Sequence, residues 1–408
     1  MALKKISSYI RVLLGTFLLY FLSSRKNSSL VSELDDKFTE NNDIFTAILP
    51  EPFLSIGSYS LVFSVSIFIT YALWNAKYFK SKNISLAGFF YFLFTLIFNL
   101  KFFDESKLLE SLSTIIVSFC FLLISFRPRN VGTLFRYSYD TFYILIIYFF
   151  IVLIVNFYLL LFGYGYNSYR FSGISYHPNA LSQIVAIPGA ALLWLTQIKH
   201  LPFKFKLLCL MMSLISMFIL FSAGSRGGFL TFIFGCILVV LFSKGIKYKF
   251  LLVCSILFAA YFLSSILANS NAAVIDRLLS TEANRIDQLN IMFNTFLENP
   301  FFGSAQGAGA SENAILKALG STGLFGGFFL IIFHLLALKT CKKIFKDNIK
   351  NSFFSNLNCF FALIIILLIF SSLFEGYMVE HFSLTAVLII LALLGTFRIK
   401  EDTRIIHY

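Results

Sequence analysis

Residues 143–162 read YILIIYFFIVLIVNFYLLLF, a run in which Asn156 is the only amide or charged side chain. A helix of about 20 apolar residues is long enough to cross the hydrocarbon core of a bilayer. The rest of the chain is similar: 58% of its 408 residues are hydrophobic, 53 are phenylalanine and only 13% are charged. An ordinary soluble chain is about 25% charged. The composition therefore indicates an integral membrane protein, and it excludes a soluble enzyme, a DNA-binding protein and a disordered chain.

The same length criterion predicts twelve membrane spans along the chain. They lie at 8–23, 54–75, 84–100, 111–126, 141–162, 178–196, 207–222, 228–243, 250–268, 318–338, 353–374 and 381–397. The first span follows two lysines, but no small-residue cleavage site comes after it, so we interpret it as a retained span and not as a signal peptide. We therefore predict an all-α, polytopic fold that forms a single membrane domain over residues 1–408.

The distribution of charge predicts the orientation. If the N-terminus is cytoplasmic, the inner segments contain 23 of the 33 lysines and arginines, and the outer side contains 16 of the 20 acids. Every inner segment then has at least three cations, as the positive-inside rule requires. Both termini are therefore expected in the cytoplasm, and the net charge of +13 reflects loops beside the membrane and not a nucleic-acid partner.

Two outer segments are long. Residues 24–53 form a polar, acidic first outer loop, and residues 269–317 form a large outer loop before the tenth span. Long loops without a function are uncommon, so we expect functional residues in the second. The chain has no nucleotide-binding glycine motif, and its six cysteines lack metal-ligand spacing, so neither a cofactor nor a metal is expected.

Beyond residue 110, arginine is the main cation of the outer side. The guanidinium fork binds phosphate oxygens in a bidentate manner, where lysine acts as a point charge. This pattern favours an anionic ligand at the outer surface, and the alternative is interfacial anchoring or pairing with nearby acids. The outer arginines in question are Arg170, Arg226, Arg277 and Arg285.

Arg226 lies in the tight connection Ala223-Gly224-Ser225-Arg226-Gly227-Gly228 between two predicted spans. Such a turn holds its arginine at the membrane boundary, and its glycines let backbone N–H groups approach an anion. Arg170 lies in an aromatic loop that includes Tyr169. The tyrosines of that loop are suited to stack on sugar rings, and an interfacial aromatic belt is the alternative interpretation.

The large outer loop contributes Arg285, Glu312 and Asn313. Glu312 precedes an outer helix, where an acid offsets the helix dipole, and its functional interpretation is a general base. His381, at the outer start of the twelfth span, is a further substrate-binding candidate. His334 lies deep in the tenth span, and we interpret it as a core residue with satisfied hydrogen bonds.

The order of these motifs resembles that of the O-antigen ligase and O-antigen polymerase superfamily of bacterial membrane glycosyltransferases. The resemblance covers roughly residues 140–400. It rests on an arginine followed by Gly173 and His177-Pro178-Asn179, on Ser225-Arg226-Gly227, on Arg285 leading to Asn299-Pro300-Phe301-Phe302-Gly303, and on Asn313 with Gly323-Leu324-Phe325-Gly326.

The resemblance implies a metal- and nucleotide-independent enzyme of the bacterial plasma membrane that acts at its periplasmic face. Its donor would be a polyprenyl-diphosphate-linked glycan, and a regulator of chain length would be a partner. Arg170 and Arg226 would bind the diphosphate, with Arg285 supporting them, and Glu312 would act as the base. His177, Asn179, Ser225, Tyr169, Asn313 and His381 complete the expected substrate-binding set.

Ligases of this superfamily have a histidine in the position that Glu312 occupies here. Its absence favours a polymerase, which joins lipid-linked repeat units, over a ligase, which transfers the glycan to lipid A core. A transporter or flippase of lipid-linked sugars is the alternative from another class, but charged residues are nearly absent from the predicted spans.

Overall fold

A computed structural model describes residues 2–23, 86–101, 116, 131–167, 170–175, 177–242, 284–304, 313–347, 353–376 and 384–396. Within these residues the chain forms ten helices of eight residues or more and one short β-hairpin. The helices are α1 (Ala2–Ser23), α2 (Leu86–Lys101), α3 (Val131–Leu161), α4 (Pro178–Leu195), α5 (Phe203–Ala223), α6 (Arg226–Phe242), α7 (Asn284–Glu298), α8 (Ala314–Asp347), α9 (Phe353–Ser371) and α10 (Leu384–Gly395). The hairpin pairs β1 (Tyr166–Asn167) antiparallel with β2 (Arg170–Phe171).

All of these helices except α7 overlap a predicted span, and α7 lies in the large outer loop. Four segments are long and apolar enough to cross a membrane. They are the whole of α4, the whole of α5, Ser138–Leu161 within α3 and Ala314–Lys346 within α8. This confirms a helical protein with apolar, membrane-type helices. The second and ninth predicted spans, the fourth except residue 116, and the loop 24–53 lie outside the described residues, so the total of twelve spans stays a prediction.

Helix ends that the charge pattern predicts on one side lie together in the structure. At the predicted inner end, Ser138 Oγ donates to Gly395 O at 2.9 Å, and Trp194 Nε1 donates to Asn356 O at 3.1 Å. At the predicted outer end, the Ala314 N–H donates to Ser372 O at 2.9 Å. These three contacts join helix ends that the charge pattern puts on the same side; the sidedness of the membrane itself stays a prediction.

Helix α4 occupies the centre of this bundle, and nearly all of its residues are buried. Small residues allow its neighbours to approach closely: a Cβ atom at Gly189 would collide with Ser216 of α5, and one at Gly235 would collide with Ala190 of α4. Close contact through glycine, alanine and serine is the usual way in which helices associate within a membrane. Because α5 and α6 both pack on α4, the turn between them has a fixed position.

A buried ion pair joins α1 to α3 at the other end of the bundle. Arg11 donates to Asp140 Oδ2 from Nε at 2.9 Å and from Nη2 at 2.5 Å, and Ser8 Oγ also donates to the Asp140 carboxylate. Both charged side chains are at most 4% exposed. Because neither charge is in contact with bulk water, each is stabilised mainly by the other.

Removing one member of this pair leaves a buried charge without its counterion. We expect Asp140→Ala to lower the free energy of unfolding by about 3–5 kcal/mol. The double replacement Arg11→Met/Asp140→Leu should recover most of that loss, because it removes both charges. Thermal unfolding in detergent measures both variants, and equal destabilisation by the single and double changes would contradict the role of the pair.

Candidate functional site

The structure describes the side chains of six of the ten predicted site residues: Arg170, His177, Asn179, Ser225, Arg226 and Asn313. The first five lie at one corner of the bundle, around the connection between α5 and α6. Asn313 lies at the start of α8. Arg285 is described only as the second residue of α7, without its side chain. Tyr169, Glu312 and His381 lie outside the described residues, and their roles stay predictions.

The connection between α5 and α6 consists of Gly224 and Ser225 alone. Gly224 adopts a left-handed conformation with φ 58°, and its N–H donates to Phe221 O at 3.0 Å, which ends α5. Ser225 is buried, and its Oγ lies 2.9 Å from Ser182 Oγ of α4. Arg226 is thus the first residue of α6, where backbone N–H groups have no acceptor within the helix. A positive side chain and the positive end of a helix dipole coincide here.

Arg170 packs its guanidinium against the end of α5. Its Nε donates to Ala223 O at 3.0 Å, and its Nη2 donates to Gly224 O at 3.3 Å and to Asn179 Oδ1 at 2.9 Å. The residue is 7% exposed. A cation at a helix C-terminus stabilises the terminal carbonyl groups. Arg170 therefore links the hairpin, α4 and the turn before Arg226, a positioning role that sequence reasoning did not assign.

His177 and Asn179 form the start of α4. The Nδ1 atom of His177 accepts a hydrogen bond from the Asn179 N–H at 3.1 Å, so His177 is the N-cap, and Pro178 follows in the first helical position, which it favours. Because Nδ1 is an acceptor, the neutral imidazole has its proton on Nε2. The cap uses only the backbone N–H of Asn179, so its side-chain Oδ1 accepts the hydrogen bond from Arg170.

Asn156, the one amide in the stretch 143–162, anchors the loop that contains Arg170. Its Oδ1 accepts from the Ile174 N–H at 3.0 Å, and its Nδ2 donates to Val152 O at 2.8 Å. Gly173, with φ 55°, faces this amide, and a Cβ atom there would collide with Oδ1. The glycine of the predicted motif therefore makes room for the anchor.

Asn313 caps α8 and joins it to the end of α9. Its Oδ1 accepts from the N–H groups of Ile315 and Leu316 at 2.9 and 3.0 Å, and its Nδ2 donates to Leu373 O at 3.0 Å. This is the N-cap arrangement that asparagine favours. The structure thus gives Asn313 a positioning role; its predicted contact with substrate stays a prediction.

Glu375 is an acid that sequence reasoning missed. It follows α9, is 3% exposed, and its Oε1 lies 3.4 Å from the position that a Cβ atom would occupy on Gly227. Glu375 therefore lies against the first turn of α6, at Gly227, the residue that follows Arg226 in the chain. The signal in the sequence was Phe374-Glu375-Gly376, an acid that directly follows a predicted apolar span.

The motif Asn299 to Gly303 fills a break in α8. Helix α8 is interrupted at Gly323, with φ 64° and ψ −161°. The Leu324 N–H donates to Pro300 O, and the Ser304 N–H donates to Gly320 O, each at 2.8 Å. These bonds satisfy backbone groups that the break removes from the helix. The two motifs are therefore parts of one structural joint.

Lys101, the last residue of α2, holds the same joint. Its ammonium donates to Gly303 O at 2.6 Å and also to Phe302 O. Burial lowers the pKa of Lys101 from its usual value, because the charged form loses water contacts. Helices α2, α7 and α8 thus meet at one turn.

The described residues contain no group of three or more His, Cys, Asp or Glu side chains that would hold a metal. What they do bring together is a helix N-terminus with Arg226, the guanidinium of Arg170 on the same turn, and a buried carboxylate, Glu375. This arrangement is suited to binding an anion and to accepting a proton.

The joint in α8 predicts that alanine replacements of Gly303 and Gly320 differ in their effect on stability. A Cβ atom at Gly303 would lie 2.5 Å from the carbonyl carbon of Ser321, and Gly303 also has φ 67°. We expect Gly303→Ala to lower the free energy of unfolding by at least about 1–2 kcal/mol, the cost of the left-handed conformation alone.

Gly320→Ala is the matched control, because its Cβ atom would meet Met292 at 3.5 Å, an ordinary contact distance. Thermal unfolding of both variants in detergent compares them. Equal stability of the two variants would contradict the joint.

Comparison with known proteins leaves the geometry as the main guide to function. No family model matches the chain, and no curated protein is significantly similar to it. The functional assignment therefore rests on the motifs of the sequence and on the arrangement of the described side chains.

Proposed function

We propose that the protein is a polymerase of a bacterial surface polysaccharide, such as an O-antigen, and joins polyprenyl-diphosphate-linked repeat units at the outer leaflet of the plasma membrane. The observation that carries the proposal is what meets at the start of α6: Arg226 is the first residue of this helix, the buried Arg170 bonds the turn before it, and the buried Glu375 lies against Gly227, which follows it. A lipid diphosphate presents its negative charge at the membrane boundary, which is where a short turn between two membrane-type helices lies.

In the proposed reaction, a sugar hydroxyl of the acceptor unit attacks the anomeric carbon of the donor glycan with inversion. The bond from that carbon to the diphosphate oxygen breaks, and the diphosphate leaves with the bonding electrons on its polyprenyl carrier. Arg226 and the N–H groups of the first turn of α6 stabilise the developing negative charge. Arg170 holds this turn in place and adds positive charge.

The hydroxyl proton passes to a carboxylate. We assign this role to Glu375, because its oxygen lies beside the turn of Arg226 and its side chain is shielded from water. Glu312, the candidate from the sequence, lies outside the described residues. The donor already has an activated leaving group, the diphosphate, so the proposed reaction uses no nucleotide.

The break in α8 supports an enzyme over a transporter. Transporters place discontinuous helices at the bilayer midplane, where the ends of half-helices contact the substrate. Here the break is at Gly323, close to the predicted outer end of α8, and the backbone groups of Gly320 and Leu324 bond to the loop Asn299–Ser304. The buried His334 bonds Leu330 O at 2.8 Å and Ser372 Oγ at 3.3 Å, which agrees with a structural core residue.

The polymerase is tested by deleting the gene in its bacterium and separating the surface polysaccharide on a gel. We expect the ladder of long chains to disappear while single repeat units still reach the lipid core. Complementation with Arg226→Ala should restore about 10²- to 10³-fold less activity than the unaltered gene, the usual effect of losing one donor to developing charge. Arg226→Lys should also be impaired, because lysine lacks the bidentate fork.

Immunoblotting of membranes confirms that each variant is inserted in equal amount. A deletion strain in which nothing reaches the core, while long chains accumulate on the carrier, would identify a ligase and refute the polymerase. Normal ladders from both Arg226 variants would refute the site.

The base assignment predicts a difference between two isosteric variants. We expect Glu375→Gln to reduce chain extension by about 10²-fold or more, because an amide cannot accept the proton. Glu312→Gln should retain most of the activity. The ladder length in complemented deletion strains measures both, and the reverse order of effects would assign the base to Glu312.

A further inference from the structure

Helix α7 packs against the outer part of α8 through Met292. Met292 is 2% exposed, and its backbone oxygen and its Sδ atom each lie 3.5 Å from the Cβ position of Gly320. The short turn that follows α7 is held in the joint of α8. Helix α7 therefore has a defined orientation, and the direction of its other side chains follows from it.

An apolar stripe runs along an exposed side of α7. Leu289, Phe293 and Leu297 recur every four residues, the spacing of one helix face, and Phe301 continues the spacing beyond the helix end. Their exposed fractions rise from 38% at Leu289 to 60% at Phe301. Polar side chains occupy the adjacent exposed face, namely Asn290, Asn294 and Glu298. An apolar stripe and a polar stripe thus run side by side on α7, and Ile291, 61% exposed, lies on the far side of the polar one.

The apolar stripe continues onto α8. Phe302 stacks on Phe325 with ring centroids 5.6 Å apart, and both rings are more than half exposed. Between Phe325 and Leu338 the exposed positions of α8 are also apolar: Phe328, Ile331, Leu335 and Leu338. Helix α8 is long and apolar enough to cross a membrane, so this face of α8 is the one available to lipid. Among the described residues, an apolar surface therefore continues from a membrane-type helix to α7.

From this continuity we propose that α7 is an interfacial helix whose apolar stripe lies among the lipids of the leaflet nearest Arg226. Phospholipid acyl chains cover the apolar stripe, and the polar stripe of α7 faces water. An amphipathic helix of this kind sinks about 5–10 Å into the boundary between head groups and acyl chains. The large outer loop is then partly a membrane-embedded element. The proposal holds whatever reaction the protein performs.

Tryptophan fluorescence in lipid vesicles tests the position of α7. The full chain with Phe293→Trp or Asn294→Trp is reconstituted in phosphatidylcholine vesicles, with and without bromine atoms on the upper acyl chain. Bromine quenches tryptophan on contact, and the two native tryptophans give the same background in both variants. We expect roughly half or more of the added emission to be quenched at position 293 and little at position 294, because only the first lies at acyl-chain depth.

A second pair, Leu297→Trp and Asn290→Trp, repeats the comparison at other exposed positions, so that one poorly folded variant does not decide the result. Equal quenching at the apolar and polar positions would overturn the proposal. Quenching at neither, with the apolar positions also shielded from aqueous iodide, would show that protein covers the stripe and would overturn it as well.

Discussion

The backbone groups at the helix ends impose the main constraint on this fold. A helix leaves four N–H groups and four carbonyl groups without partners inside itself, and in an apolar layer water does not replace them. The protein supplies the partners from distant parts of the chain: Arg170 at the end of α5, and Asn313 between the start of α8 and the end of α9. At the break in α8, Pro300 and Ser304 likewise supply hydrogen-bond partners for the backbone groups of Leu324 and Gly320.

This constraint changes the meaning of several motifs. Residues that attract attention in the sequence, such as His177-Pro178-Asn179 and Gly303, are explained by caps and close approaches before any ligand is considered. The proposed function then depends on fewer side chains, chiefly Arg226 and Glu375. A structural role for Arg170 also does not compete with a role in electrostatics, since the carbonyl groups that it bonds, those of Ala223 and Gly224, come three and two residues before Arg226.

The sequence predicted local features well. The bounds of α4 agree with the predicted span 178–196 to within one residue. The turn before α6 is shorter than predicted: it consists of Gly224 and Ser225, while Arg226, Gly227 and Gly228 already belong to the helix. Periodicity and hydropathy report on neighbours along the chain, so such features are visible in one sequence. The bonds of Arg170 to Ala223 and the approach of Glu375 to Gly227 join residues that are far apart in the chain. They depend on which helices pack together, and no local pattern contains that information.

The two-residue connection between α5 and α6 also has a consequence for biogenesis. A link this short prevents α5 and α6 from entering the bilayer independently, so the two helices must insert together as a helical hairpin. On the topology that the charges predict, Arg226 at the tip crosses the whole apolar layer during synthesis. A central arginine costs about 2.5–3.5 kcal/mol on insertion scales, which the two flanking apolar helices offset. The length and hydropathy of α5 and α6 are thus requirements of delivering that arginine across the membrane, as well as of packing around it afterwards.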